Sequence, residues 1–320
     1  WRVFSFLKIA TDDGIVGYSE YNESYGSKGL TGVIRPLADS LIGVDPRAVE
    51  RITAKLYGQT RQAPGGMISQ AIAAIENALV DIKAKALGIP VYEMLGGPVR
   101  DTVRLYWSHC GTYRLHHHKI LGKPQLNSLE GCYQLGKEVA EANFTALKTN
   151  IFLFGEAEPQ LYMAGFASEQ GRHKNQGLWD LALNPDESIT AAVRDQLTAL
   201  QEGAGHEVKV LLDMNFNFKT EGYLTLARAL DDLGLMWFEI DSYDPAALRD
   251  IRRACATPIA SCESLYGRRQ YRPFLEQHSM DVAIIDVPWN GILESLKIAN
   301  MVEPYEINVA PHNFYGHLST

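Results

Sequence analysis

Five residues able to bind a metal ion or to move a proton each stand at the end of a short apolar run. They are Asp213 after VLL, Glu239 after MWF, Glu263 after IASC, Asp286 after AII and His312 after NVAP. The steps between them are 26, 24, 23 and 26 residues. One strand-plus-helix unit of a barrel has about that length, since about 250 residues are shared among eight units. The spacing therefore predicts five side chains on successive parallel strands, at the C-terminal rim where barrel enzymes do their chemistry.

Any one of these acids, taken alone, is better explained as a helix N-cap or a solvated rim residue. That explanation is less favoured for the whole set, because four acids and a histidine recur at nearly regular spacing and each acid directly follows an apolar run. Charged side chains at an inner rim carry a large desolvation cost unless they are paired. Clustered carboxylates are most simply compensated by a divalent cation, and oxygen ligands without Cys or His favour Mg²⁺, with Mn²⁺ as a substitute.

The pattern of residue types in the segments that must position these residues changes near residue 103. Residues 1–102 begin with two strands around a TDDG turn and continue with helices, which predicts a small α+β domain. Over 103–320, runs rich in Val, Ile and Phe alternate with helical segments, which is typical of a parallel sheet or barrel. Seven strands are predicted there, at 103–109, 144–149, 208–214, 235–240, 258–263, 282–287 and 307–312.

Seven strands are one short of a closed eight-stranded barrel, and the chain begins with Trp1 rather than Met. We therefore expect the last βα units, and the first strand of the 1–102 domain, to be missing from this sequence. The segment 151–185 does not fit the alternation and reads as an inserted loop. Loops of that length in a compact domain are usually functional or disordered.

Composition excludes several classes of protein. The 320 residues carry a net charge of −8 and no dense Lys/Arg run, so we expect no nucleic-acid partner. No apolar run of 18 residues is present, which argues against a membrane span. The four cysteines form no CxxC pair, so a disulfide framework is not expected and a cytoplasmic location is the default.

Several motifs resemble the mandelate racemase branch of the enolase superfamily. The stretch AIENALVDIKAKALGIPVYEMLGG is similar to the linking helix of that superfamily and to the turn leading into its barrel. The strand-end matches are DMN from Asp213 to Asn215, Glu239 after WF, Glu263 within CES, Asp286, and His312 within APHN. The resemblance spans nearly the whole chain.

The resemblance implies a fold, a metal site and a reaction. The fold is a modified (β/α)7β TIM-type barrel with an N-terminal α+β capping domain. The metal is one Mg²⁺ per subunit, bound by Asp213, Glu239 and Glu263. The reaction begins with abstraction of the proton α to a carboxylate, a proton too weakly acidic for an unaided histidine. His312 is implied as the base, with Asp286 fixing its tautomer and raising its basicity.

The motif ALKTN, which contains Lys148 and Asn150, bears on the choice between two reactions of this kind. The family often has Lys-x-Lys here, with the second lysine a base on the opposite face of the substrate, whereas this chain has Asn150. Inversion of a stereocentre is simplest with a base on each face, so Asn150 favours dehydration. His312 would then take the α-proton and help to expel the β-hydroxyl, while Lys148 would hold the substrate carboxylate or the enediolate. An ordinary rim lysine is the alternative.

The substrate is predicted to be a small-molecule carboxylate. Cap-domain loops of similar enzymes close over the barrel mouth, and an Arg or Tyr there suits hydroxyl or anionic groups. The substrate-binding residues predicted in the cap loops are Arg61, Tyr21 and Tyr25, and Asn215 and Asn150 near the ends of barrel strands are predicted to bind substrate as well. An exposed arginine such as Arg61 is more often simply solvated.

Three functions remain open from the sequence. The first is a Mg²⁺-dependent dehydratase that converts a sugar acid to a 2-keto-3-deoxy acid. The second is a racemase or epimerase of an α-substituted acid, and the third is an inactive barrel retained for binding. Related barrels commonly assemble, so a homo-oligomer is expected.

Overall fold

The structure is a computed structural model that describes residues 3–24, 27–155, 158–162 and 184–320. The chain divides into two compact units. The first comprises Trp1–Thr102, Cys262–Leu275 and Ala283–Thr320, and the second comprises Val103–Ser261 and Glu276–Val282.

An antiparallel hairpin opens the first unit, as the TDDG turn predicts. Its strands are β1 (Ser5–Ala10) and β2 (Val16–Tyr21), paired along their whole length. Gly14 in the turn has φ 81°, a left-handed conformation that glycine adopts at little cost. Gly17 lies so close to the following long helix that a Cβ there would collide with the carbonyl oxygen of Ala78. The hairpin can therefore rest directly on that helix.

Helices follow the hairpin in the first unit. The longest helix is buried along most of its length, and its buried residues are mostly small or β-branched, among them Ala71, Ala74 and Ile75. It stops at Gly88, which has φ 71°. The helices described between the hairpin and residue 102 are α1 (Leu30–Asp39), α2 (Val49–Gln59), α3 (Gly66–Leu87) and α4 (Val91–Met94).

In the second unit, helices alternate with short buried strands. The elements in chain order are α5 (His118–Leu121), α6 (Leu129–Glu141), β3 (Ala146–Thr149), β4 (Phe152–Leu153), β5 (Gln160–Leu161), α7 (Glu187–Ala204), β6 (Lys209–Asp213), α8 (Thr220–Leu230), β7 (Phe238–Glu239), α9 (Pro245–Arg253) and β8 (Ile259–Ser261). Strands β3, β6, β7 and β8 are adjacent in that order and run parallel. Parallel neighbours bring their carboxyl ends to one edge of the sheet.

The last part of the chain continues the same alternation. Its elements are α10 (Gly267–Glu276), β9 (Val282–Asp286), α11 (Val287–Asn290), α12 (Ile292–Val302) and β10 (Asn308–His312). Strands β9 and β10 are hydrogen-bonded neighbours. Within the described ranges, no helix is both long enough and apolar enough to cross a membrane.

The predicted strand over 103–109 is wrong in extent. This segment makes a single bridge, between Trp107 and Leu147, in place of a regular strand. The Trp107 N–H donates to the Ala146 carbonyl at 3.0 Å, but Val103 and Leu105 are 71% and 63% exposed. An apolar run forms a buried strand only where neighbours cover it, and in the described part of the chain Val103 and Leu105 stay largely exposed.

Helix α6 was not predicted, because the glycines in GCYQLG weaken the helical pattern. Gly136 of α6 and Gly203 of α7 permit a close contact between these two helices. A Cβ on Gly136 would collide with the Leu200 carbonyl, and one on Gly203 with the Tyr133 carbonyl. Ser128 caps the start of α6 by accepting a hydrogen bond from the Gly131 N–H at 3.2 Å.

The predicted inserted loop at 151–185 contains regular structure at its start. Strands β4 and β5 pair antiparallel, with Phe152 opposite Leu161. Residues 156–157 and 163–183 of the insertion lie outside the described part of the chain.

Two side chains of α3 cap α12 within the first unit. The Leu293 N–H donates to Glu76 Oε1 at 2.8 Å, and the Ile292 N–H donates to Asn77 Oδ1 at 2.8 Å. These are backbone donors of a first helical turn, which have no partner inside their own helix. Burial raises the pKa of Glu76 to about 7, although the Leu293 bond and the Lys297 charge act to lower it.

The raised pKa of Glu76 predicts a pH-dependent stability. Between the ordinary value of 4.5 and about 7, the folded state binds more protons than the unfolded state. The free energy of unfolding therefore falls as the pH rises through this window, by about 3 kcal/mol in total. Glu76→Gln keeps an acceptor for Leu293 without the titration. It should be more stable than the wild type above pH 7 and converge with it near pH 4.5.

Urea unfolding at pH 5, 6, 7 and 8 measures this difference. Glu303→Gln, a change at an exposed position in the same unit, is the matched control and should leave the pH dependence as in the wild type. If Glu76→Gln and the wild type lose stability in parallel from pH 5 to pH 8, Glu76 is not the responsible group.

Candidate active site

In the second unit, two of the predicted acids stand side by side at the ends of parallel strands. Asp213 is the last residue of β6, Glu239 is the last residue of β7, and the two are paired in register. Lys148 lies one residue before the end of β3, opposite Leu211 of β6. The strand register thus brings Lys148, Asp213 and Glu239 to one edge of the sheet.

A lysine ammonium joins the two carboxylates. Lys148 Nζ lies 2.5 Å from Glu239 Oε1 and 3.2 Å from Asp213 Oδ2. All three side chains are buried, with Lys148 only 2% exposed. Buried charges persist only when they are paired and hydrogen-bonded, and these three satisfy that condition with a net charge of −1.

Lys148, Asp213 and Glu239 are called the lysine cluster below. Aromatic side chains lie next to this cluster. The Trp237 indole N–H donates to Glu239 Oε2 at 3.2 Å. Tyr106 meets the Trp237 ring edge-on and has its centroid 5.7 Å from Lys148 Nζ. Each oxygen of Glu239 therefore has a donor, and the indole fixes the plane of the carboxylate.

Opposing influences act on the Asp213 carboxyl. Burial alone would raise the pKa of Asp213, but the charges of Lys148 and His109 outweigh it. The Asn215 N–H also donates to Asp213 Oδ1 at 3.1 Å. The pKa of Asp213 is consequently held below its usual range, which keeps the carboxylate ionised.

Asn215 and Asn150, both predicted to bind substrate, are tied to the protein around them. Asn215 has φ 49°, and its backbone carbonyl accepts a hydrogen bond of 2.5 Å from the Tyr223 hydroxyl. The Asn150 side-chain oxygen accepts from the Thr112 hydroxyl at 2.7 Å and lies 3.1 Å from His109 Nδ1. The amide of Asn150 is thus held as an acceptor between two donors.

His109 is a residue of this region that the sequence reasoning missed. It ends the apolar run predicted as the first barrel strand, so the rule that selected the other five residues would have selected it. Its φ of 48° is an uncommon value for a residue other than glycine. An uncommon backbone conformation beside charged groups is often found at functional sites.

In the first unit, a histidine and an acid meet at the ends of neighbouring strands. Asp286 is the last residue of β9 and His312 the last of β10. His312 Nδ1 lies 2.8 Å from Asp286 Oδ2, and both side chains are buried. The Trp289 N–H donates to Asp286 Oδ1 at 3.0 Å. A carboxylate in this position makes Nδ1 the protonated nitrogen and leaves Nε2 as the basic one.

Two further residues contact this histidine–aspartate pair. Glu263 Oε1 lies 3.6 Å from His312 Nε2. The Tyr315 hydroxyl, which the sequence did not single out, donates to Asp286 Oδ2 at 2.5 Å. Burial and the neighbouring Asp286 raise the pKa of Tyr315 well above its usual range, so the phenol remains a donor.

The residues predicted in the cap loops have different surroundings. Tyr21 ends β2 and belongs to the core of the first unit, and its hydroxyl is 2.8 Å from the Thr31 hydroxyl. Arg61 is exposed in the loop between α2 and α3. Tyr25 lies outside the described residues.

The lysine cluster offers a donor set that fits Mg²⁺. Asp213 Oδ2 and Glu239 Oε1 converge on one positive charge, and carboxylate oxygens are the ligands this ion prefers. Within the described part of the chain, no three His, Cys, Asp or Glu side chains already form a metal-binding group. The Lys148 ammonium stands between the two carboxylates instead.

An α+β unit followed by strands that carry a lysine, acids and a histidine at or near their ends is typical of an α/β enzyme of the TIM-barrel type. Residues 134–320 match the family model "Enolase C-terminal domain-like". Residues 2–96 match "Mandelate racemase / muconate lactonizing enzyme, N-terminal domain". The chain therefore belongs to the enolase superfamily, in the branch of mandelate racemase and muconate lactonizing enzyme. The predicted fold class is confirmed, with an N-terminal cap domain and a C-terminal half-barrel of parallel strands.

Curated relatives of this chain are sugar-acid dehydratases. A D-galactonate dehydratase from Ralstonia nicotianae is 29% identical over 311 residues, which are 96% of this chain and 70% of that protein. A D-xylonate dehydratase from Haloferax volcanii is 28% identical over an alignment of 323 positions, which covers 98% of this chain and 69% of that protein.

A solved structure with higher identity to this chain is described as an epimerase rather than a dehydratase. It is a candidate L-alanine-DL-glutamate epimerase from Burkholderia xenovorans strain LB400, 46% identical, with a TM-score of 0.93. The match covers 100% of this chain and 79% of that one. The same protein has been crystallised with magnesium and fumarate.

Proposed function

We propose that this chain dehydrates a sugar acid to a 2-keto-3-deoxy acid, beginning with removal of the proton α to the carboxylate. The observation that carries the proposal is the buried His312–Asp286 pair at the ends of β9 and β10. The curated relatives of this chain in the same superfamily include D-galactonate and D-xylonate dehydratases. The substrate class is taken from those relatives and from the absence of a second lysine at position 150.

Asp213, Glu239 and Glu263 are the proposed ligands of one Mg²⁺ per subunit. When bound, the cation stabilises the negative charge that develops as the α-proton leaves. Lys148 adds a fixed positive charge beside Asp213 and Glu239. Because the ammonium is already oriented, no reorganisation is needed when charge develops on the substrate carboxylate.

His312 is the proposed base and then the acid. Asp286 holds the Nδ1 proton, so Nε2 accepts the α-proton. The imidazolium then gives that proton to the β-hydroxyl, the C–O bond breaks, and water leaves. The enol that remains rearranges to the 2-keto-3-deoxy acid, so one water is lost and no oxidant or reductant is required.

A screen of aldonic and aldaric acids tests the proposal. The Mg²⁺-loaded enzyme should release a 2-keto-3-deoxy product from at least one acid, detected as its semicarbazone. D-galactonate and D-xylonate are the first acids to examine. Lack of product across the library, with Mg²⁺ binding verified by calorimetry, would overturn the dehydratase assignment.

The second candidate is a racemase or epimerase, favoured by the 46% identity to the candidate epimerase. Such a reaction is simplest with a second proton-transfer group, and His109, whose Nδ1 lies 3.1 Å from Asn150 Oδ1, is an ionisable side chain beside position 150. Solvent deuterium at the α-carbon of unconverted or epimerised substrate, without loss of water, would identify this reaction.

Assembly and location are also part of the proposal. A homo-oligomer in the cytoplasm, acting on a small-molecule carboxylate, fits the class of enzyme. Light scattering of the purified protein measures the oligomeric state directly. An inactive barrel, the third alternative, predicts that replacing His312 leaves the biological function unchanged.

A further inference from the structure

Asp286 accepts two hydrogen bonds on the same oxygen. His312 Nδ1 and the Tyr315 hydroxyl lie 2.8 Å and 2.5 Å from Asp286 Oδ2. The other oxygen, Oδ1, accepts from the Trp289 N–H at 3.0 Å. Asp286 is 0% exposed, so protein donors take the place of water in setting the orientation of this carboxylate.

The loop that carries Tyr315 is held by the opening hairpin. Glu20, the second-last residue of β2, is 4% exposed. Its Oε1 accepts from the Gly316 N–H at 2.7 Å, and its Oε2 lies 3.2 Å from the Ser319 hydroxyl. A Cβ on Gly316 would come within 3.0 Å of Glu20 Oε1, so the loop backbone is seated directly on this carboxylate.

We propose that Tyr315 is a positioning residue for the His312–Asp286 pair, and that Glu20 positions Tyr315. The proposal rests on the proposed role of His312 as the base. With two donors on Oδ2, the Asp286 carboxylate has one orientation, and the imidazole plane follows it. Without the phenol, Asp286 can rotate, and His312 is no longer aimed at the α-carbon. Misplacement of a reacting group by about 1 Å can cost about 100-fold in rate.

Tyr315→Phe is the first test, because it keeps the ring that meets His312 edge-on with centroids 6.1 Å apart. With the best acid from the library, kcat should fall by about 10- to 100-fold while KM stays within about twofold. Tyr18→Phe, at an exposed tyrosine of β2, is the matched control and should leave both constants unchanged. A rise in KM with kcat unchanged would mean that Tyr315 binds substrate instead, and would overturn the proposal.

A double-mutant cycle tests the link to Glu20. Glu20→Gln should lower kcat in the same direction, and the Glu20→Gln/Tyr315→Phe double variant should be no slower than Tyr315→Phe alone. Residues that act through one another are non-additive in this way. If the two effects multiply, Glu20 does not act through Tyr315, and that half of the proposal is overturned.

A crystal structure of Tyr315→Phe provides a readout that does not depend on turnover. We expect Asp286 in more than one orientation, or an Oδ2–Nδ1 separation beyond hydrogen-bonding distance. A pair unchanged at 2.8 Å would overturn the positioning role while leaving the proposed function intact. Full activity of a His312 variant would instead overturn the proposed function, whatever the behaviour of Tyr315→Phe.

Discussion

Replacement of His312 by Asn is expected to lower kcat by about 10²- to 10⁴-fold, the usual contribution of a positioned general base. Asn is close in shape to the proximal part of the imidazole and can still donate to Asp286, so the buried carboxylate keeps a partner. It has no basic nitrogen, so the α-proton has no acceptor. KM should change little, because His312 is proposed to act on the proton rather than to bind the carboxylate.

Steady-state kinetics with the best acid from the library measure this effect. His317→Asn, an exposed histidine five residues further along, is the matched control and should behave as the wild type. Thermal unfolding of both variants separates a catalytic loss from a folding defect. A His312→Asn enzyme with wild-type turnover would remove this histidine from the mechanism.

Loss of the Lys148 ammonium is expected to give the second large effect. Lys148→Met leaves Asp213 and Glu239 buried next to each other without their shared counterion. Removing one partner of a buried ionic group typically costs about 3 to 5 kcal/mol of folding free energy. The metal-free variant should be less stable than the metal-free wild type by that amount, and the variant assayed with Mg²⁺ should have lost most of its activity.

Added Mg²⁺ should then restore part of the stability of Lys148→Met. If Asp213 and Glu239 are metal ligands, Mg²⁺ at 100 times its Kd raises the free energy of unfolding by about 2.7 kcal/mol. Urea unfolding in EDTA and in Mg²⁺ measures both changes. Lys209→Met, at an exposed lysine that begins β6, is the control: it should keep the wild-type stability in EDTA and, because it keeps both proposed ligands, should be stabilised by Mg²⁺. Stability of Lys148→Met that is unchanged by saturating Mg²⁺ would count against these two carboxylates as ligands.

The strand-end residues illustrate how far sequence patterns reach. Asp213 and Glu239 each follow an apolar run, and both prove to be the last residues of paired parallel strands. Asp286 and His312 are likewise the last residues of the neighbouring strands β9 and β10. The hairpin was predictable as well, because its turn chemistry and alternation are local properties.

The errors have equally specific causes. The run 103–109 has strand composition, but its first residues have no covering neighbour and stay exposed. Helix α6 contains glycines that look unfavourable along the chain, yet one of them, Gly136, permits a close contact with α7. Both features depend on segments distant in sequence, which no local pattern describes.

By itself the sequence determined the alternation of strands and helices, the family, and the positions at strand ends where ionisable groups stand, because periodicity and spacing are written along the chain. Only the tertiary structure decided which partners those groups have. It placed Lys148 between Asp213 and Glu239, and it brought Glu20 and Tyr315 to the His312–Asp286 pair. Hydrogen bonds and ion pairs depend on distances of about 3 Å between side chains, and such distances are set by packing rather than by order along the chain.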